Sequence, residues 1–153
     1  MKKQKRTLGA IVKIDLENGF HIYGRILSEA CFAFYDLKTN EEIKDLQTII
    51  SNPILFILSV YDSSVTKGRW LKIGTLPIEE DLLNLPDFFM QDQMKPDHFS
   101  IYNANTGEIR PALRSECIGL ERAAVWEPEH IESRIRDYYD NKPNIWVEQM
   151  KMK

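Results

Sequence analysis

The sequence predicts an α+β protein that is mostly β, with an antiparallel, strongly curled or barrel-like sheet, a short central helix and a C-terminal helix. Three observations predict it. Residues 9–37 contain three short apolar segments separated by turn residues, residues 54–62 form the most apolar run of the chain, and sustained helical spacing begins only at Pro128. The 153 residues suffice for one domain with a real core, and no linker, repeat or low-complexity tract divides them, so residues 1–153 are expected to form a single domain. Residues 1–8, rich in lysine, are expected to be a flexible basic tail.

Residues 9–27, "GAIVKIDLENGFHIYGRIL", read as a β-hairpin. Ile11, Lys13 and Asp15 alternate with Val12, Ile14 and Leu16, the period of a half-buried strand. Asn18-Gly19 supplies residues that tolerate positive φ in a two-residue turn. "ACFAFYDL", Ala30 to Leu37, is aromatic enough for a third strand in the core. In "KTNEEIKDLQTIISN" a short helix is expected, capped by Thr39 or Asn40, with Glu41 and Glu42 in its first turn and Ile43, Leu46, Ile49 and Ile50 at helical spacing. "ILFILSVYD" then reads as a buried central strand.

"RWLKI" lies between Gly68 and Gly74, and "HFSIYNANTGEIRPA" reads as a second hairpin in which Gly107 takes the left-handed position. Pro128 suits the first position of a helix. Ile131, Ile135, Tyr138 and Tyr139 fall on one stripe of it, and Glu132 with Arg136 forms an i,i+4 pair on another. Trp70, Trp126, Trp146, Ile131 and Ile135 are the expected structural core. The segment "GLERAAVWEPEH" is expected to be a junction in which residues 123–126 pack inward.

Composition narrows function. The apolar share of 43% and charged share of 28% describe a globular chain, and a net charge of −3 argues against general nucleic-acid binding. No signal peptide or membrane-length apolar run is legible, so a cytoplasmic protein with no membrane partner is expected. Cys31 and Cys117 show no Cys-x-x-Cys spacing and no two histidines lie four apart, so no metal is expected. Motifs for phosphate or dinucleotide binding and for a serine nucleophile are missing, so neither cofactor nor catalytic residue is assigned.

The charge pattern is more informative. Ile73 through Met94 carries five acids, Glu79, Glu80, Asp81, Asp87 and Asp92, and no Lys or Arg. Acids steer a basic partner and aromatics anchor it, which makes these residues with Phe88 and Phe89 the expected partner-binding face. The plainer reading leaves Phe88, Phe89 and Leu82 in the core with solvated acids around them. "KGRW" likewise reads as an Arg/Trp contact corner or as a core Trp with its Arg paired to an acid.

In order, "GRI…AFYDL", "P-ILF…V", "KGRWLKIGTLP", "FFMQD", "FSIYNANTGEIRPA", "ECIGLERAAVWEPEHIESRIRD" and "KPNIWVEQM" resemble the bacterial immunity protein 26 family over Gly9 to Met150, most specifically in the segment around "GLERAAVW". The resemblance implies a β-rich, non-enzymatic protein of polymorphic toxin systems. Such a protein binds and neutralises a cognate toxin domain, nucleases with basic clefts being one kind, by stoichiometric non-covalent occlusion. Two alternatives compete with it. An SH3-like module would bind a peptide or nucleic acid through Tyr23, Arg25, Phe34 and Tyr35, and a small enzyme would use His98 or His130 with a carboxylate.

Overall fold

The structure, a computed structural model, describes residues 2–153. The hairpin forms as β1 (Ala10–Asp15) and β2 (His21–Ile26), antiparallel with Val12 opposite Gly24 and Asp15 opposite His21. Its turn is a three-residue loop and not the expected two-residue one, because Leu16 N–H donates to Phe20 O. Glu17 (φ 62°) and Gly19 (φ 88°) both adopt the left-handed conformation there. β3 (Cys31–Tyr35), α1 (Leu46–Ile50), β4 (Ile54–Val60), α2 (Ser63–Thr66) and β5 (Leu71–Thr75) follow. The central helix is shorter than expected. Its cap is Asp45, whose side chain accepts from Gln47 N–H, while Thr39 pairs with His21 in an isolated bridge.

After a 3-10 turn at Glu80–Leu82 come β6 (Asp87–Gln91), β7 (Phe99–Asn103), β8 (Ile109–Ala112), α3 (Arg114–Cys117), β9 (Glu121–Arg122), β10 (Val125–Trp126), α4 (Pro128–Tyr139) and α5 (Ile145–Met150). The strands build two open sheets, of order β10-β4-β3-β2-β1-β5 and β8-β7-β6-β9. The expected barrel does not form: β5 and β10 end opposite edges of the six-stranded sheet and do not pair. β2 is buried along its whole length because both of its faces are covered. Ile22 and Ile26 join the main core, while Tyr23 packs with Ile11, Tyr35 and Ile49 under α1. β4 is mostly half-buried, since β10 pairs only with Ser59 and Val60 on its outer edge.

The segment 119–130 stitches the sheets together. Glu121 and Arg122 run parallel to β6, and Ala123 N–H donates to Phe89 O. Three residues later Val125 and Trp126 run parallel to β4, and Tyr61 N–H donates to Trp126 O. Trp126 is buried, Ala123 and Ala124 are half-buried, and Val125 faces outward instead of inward because alternation along β10 allows only one of the two large residues to point into the core. Pro128 then opens α4, which sinks Ile131 and Ile135 into the same cluster as Trp70 and Phe88. Each buried isoleucine contributes about 1.5–3 kcal/mol. Asn144 caps α5 and ties it back to α4 through Ser133 and Asp137. Trp146 is half-buried beneath the His130 ring, 3.5 Å between centroids.

Of the stretch expected as a flexible tail, Met1 lies outside the described residues, and Gln4 and Arg6 are hydrogen-bonded to the fold. Gln4 donates to Val65 O and Trp70 O and accepts from Lys72 N–H, and the Arg6 guanidinium donates to Leu27 O and Cys31 O.

Candidate functional site

The acid-rich stretch begins in a loop anchored from inside the protein. Arg25 of β2 is fully buried, and an unpaired guanidinium there would cost several kcal/mol. Its Nη2 donates to the loop that follows β5, at Leu76 O (2.8 Å) and Pro77 O (2.6 Å), and its Nη1 forms an ion pair with the Glu79 carboxylate at 2.8 Å, while its Nε has no hydrogen-bond partner among the described residues. Tyr35 completes the node: it accepts from Arg25 at 3.2 Å and donates to Glu79 at 2.7 Å. Burial, and then the Glu79 carboxylate, push the Tyr35 phenol well above its ordinary range. Beyond this node the 3-10 turn points Leu82 into the core and leaves Glu80 and Asp81 exposed. Of the three consecutive acids, two therefore face solvent, while Glu79 is held from within.

A second phenol, half-buried, also donates to a carboxylate. Tyr139 of α4 donates to Asp36 at 2.6 Å, and burial followed by that carboxylate raises its pKa. Both tyrosines have folded pKa values above the unfolded value of about 10. Stability from these bonds is thus complete below pH 10 and falls as the pH rises past it. The urea midpoint should hold up to about pH 10 and drop between about pH 10 and 11.5, and less so in Tyr139→Phe; equal drops in the two proteins would contradict this origin.

β6 carries Phe88 and Phe89, and both are buried, at 3% exposure. Phe88 faces the main core, while Phe89 packs with Phe99, Ile101 and Cys117 under the Arg122 guanidinium. The two aromatics point to opposite faces of one strand, and each face is covered, so neither is the exposed anchor that their acidic surroundings suggested. Asp87 and Asp92 are exposed. Asp92 accepts from Met94 N–H and Lys95 N–H, which holds its carboxyl below the usual range. The large apolar side chains exposed along this stretch are Ile73, Leu83, Met90 and Met94, none of which was expected as a contact.

The other candidates are built into the scaffold. Tyr23, Arg25, Phe34 and Tyr35, the proposed contacts of an SH3-like module, are all fully buried and present no binding face. In "KGRW", Trp70 is buried against Phe32 and Phe34, and both it and Arg69 bond to Glu132. Glu132 therefore does not pair with Arg136, which donates instead to Leu16 O. Glu121 pairs in a two-pronged arrangement with Arg134. His98 is exposed, and His21 is buried against the Tyr23 hydroxyl at 3.0 Å. Burial pushes the Cys31 and Cys117 thiols up, away from the thiolate form a nucleophile needs. No group of His, Cys, Asp and Glu among the described residues is placed to hold a metal ion, and no helix among them is long and apolar enough to cross a membrane.

Comparison with known proteins yields one finding. The model of the family described as immunity protein 26 matches residues 7–100, well over half of the chain. The match runs from three residues before β1 through the anchored acidic loop and β6 into β7, and does not include the segment 119–130 that carried the most specific part of the resemblance. No curated protein and no solved structure matches.

Proposed function

Because the chain belongs to the immunity protein 26 family, we propose that it binds a cognate bacterial toxin domain and neutralises it by stoichiometric, non-covalent occlusion in the cytoplasm. The family match carries the reading. A binder of this kind needs a rigid frame and a complementary surface rather than a reactive constellation, and the contact face we assign is the exposed acidic stretch. Glu80, Asp81, Asp87 and Asp92 supply its negative potential, and no basic residue occurs between Ile73 and Met94. A toxin with a basic cleft, such as a nuclease, matches that potential. Phe88 and Phe89 support this face from beneath, and Glu79 shapes it while bound to Arg25.

Co-expression with the toxin domain encoded beside this chain tests the function: growth should be rescued, and the purified pair should form a one-to-one complex. The Glu80→Lys/Asp81→Lys double variant tests the face. Its association rate at low salt should fall on the order of tenfold and lose much of its salt dependence, with little change in the dissociation rate. An unaltered association rate at low ionic strength would move the contact elsewhere.

A further inference from the structure

We infer that the apolar anchor of the complex is a groove between Leu8 and Leu83, filled by an apolar side chain of the toxin whose neighbours in the toxin are Lys or Arg. The inference rests on the immunity reading and names its contact site. The groove has a volume of about 400 Å3 and is lined by Leu8, Leu76, Pro77, Ile78 and Leu83. Leu8 is 56% exposed and Leu83 63% exposed, on two chain segments that meet only in the fold. Paired exposed leucines flanking a depression form an apolar surface that a partner can desolvate.

The chemistry of the occupant follows from the wall. Ile78 and Leu83 both line the groove, and the chain between them is the 3-10 turn that displays Glu80 and Asp81. An apolar side chain entering the groove therefore brings its own neighbours up against two exposed carboxylates, and cationic neighbours are favoured. The cleft of about 420 Å3 between the two sheets, lined by Cys31, Phe88, Met90, Tyr102 and Val125, has Glu29 as the one charged residue of its lining and specifies no partner charge.

The groove is also pre-formed. Leu76 and Pro77 are held through their carbonyls by buried Arg25, so the wall does not have to order on binding. On the other side Gly9, at φ 83°, donates to Ile26 O, and a Cβ there would lie 3.0 Å from Leu76 O. Only glycine lets the Leu8 segment approach the loop so closely.

The test uses the full chain and, as probe, a catalytically inactive form of the toxin domain encoded beside it. Leu8→Asp and Leu83→Asp change exposed side chains, and circular dichroism with urea midpoints verifies that both fold. Each should raise the dissociation rate at least tenfold, while Ile118→Asp, an equally exposed position away from the groove, leaves it unchanged. Wild-type dissociation in both groove variants overturns the groove while one-to-one binding by the parent chain preserves the immunity reading. Failure of the parent chain to bind or protect removes that reading and the groove with it. Self-association of the free chain abolished by Leu83→Asp would assign the groove to a second copy and likewise overturn the inference.

Discussion

Replacing Glu132 by leucine is expected to lower the unfolding free energy by about 2–4 kcal/mol, read as a lower urea midpoint at unchanged slope. Glu132 is 2% exposed, on the inner side of α4. Its carboxylate accepts from Arg69 Nε at 2.8 Å, from Arg69 Nη2 at 2.7 Å and from Trp70 Nε1 at 2.9 Å. The hydrogen bonds to Glu132 raise the Arg69 pKa further from neutrality, so the guanidinium stays charged across the working range. The two ends of this cluster respond differently to loss of the acid. Arg69 is partly exposed, also reaches Glu17 and Glu129, and can recover water. Trp70 is fully buried, and its indole N–H would be stranded. Glu132→Gln keeps an acceptor for the indole and should lose roughly half as much. A midpoint for Glu132→Leu within experimental error of the parent's would show that α4 is held by its isoleucines alone.

Arg25→Met is expected to cost about 3 kcal/mol and to loosen the loop from Leu76 to Asp81. The loss has two parts. Three donors disappear from Leu76 O, Pro77 O and the Tyr35 hydroxyl, and the Glu79 carboxylate keeps only its bond from Tyr35. Glu79 is partly exposed and can rehydrate, which keeps the cost below that of a sealed ion pair. Amide exchange separates the local from the global effect. Protection should fall first at residues 76–82, ahead of β2 and β3, because the variant frees the loop while methionine still fills the strand position. The same variant should slow toxin association, since the carboxylates of Glu80 and Asp81 would no longer be held in one place. Exchange that rises equally across the sheet would mean that Arg25 supports the core as a whole and not this loop.

The local elements were legible wherever one residue type had one conformational role. Asn18-Gly19 and Gly107 marked loops whose backbone takes positive φ, and the structure has Gly19 at 88° and Gly107 at 80°. Pro128 marked the first residue of α4, and the spacing of Ile131 and Ile135 marked its buried stripe. The central helix was placed too early because Thr39, Asn40 and Asp45 are all capable caps, and Thr39 is drawn into a bridge with His21 that no local rule contains. Glu132 and Arg136 have the spacing of a pair, yet each finds a better partner more than sixty residues away.

The acidic stretch shows the same division. Its lack of lysine and arginine is a property of the sequence, but which of its residues face solvent is not. Phe88 and Phe89 are adjacent, so at most one could belong to a single buried face; both are buried because the strand lies between two apolar clusters. Leu8 and Leu83 carry no local signal of being neighbours, and Arg25 reads as an ordinary polar residue of a strand.

By itself the sequence determined the hairpins, the last long helix, the sign of the charge between Ile73 and Met94, and the family. These depend on short-range chemistry: positive φ at glycine, a fixed φ at proline, and side-chain periods of two or 3.6. Only the tertiary structure decided that the sheets stay open, that Arg25 turns inward to hold a loop, and that Leu8 meets Leu83. Burial and pairing are settled by which distant segment arrives to cover a side chain or accept its hydrogen bond, and a residue's neighbours along the chain do not specify that arrival.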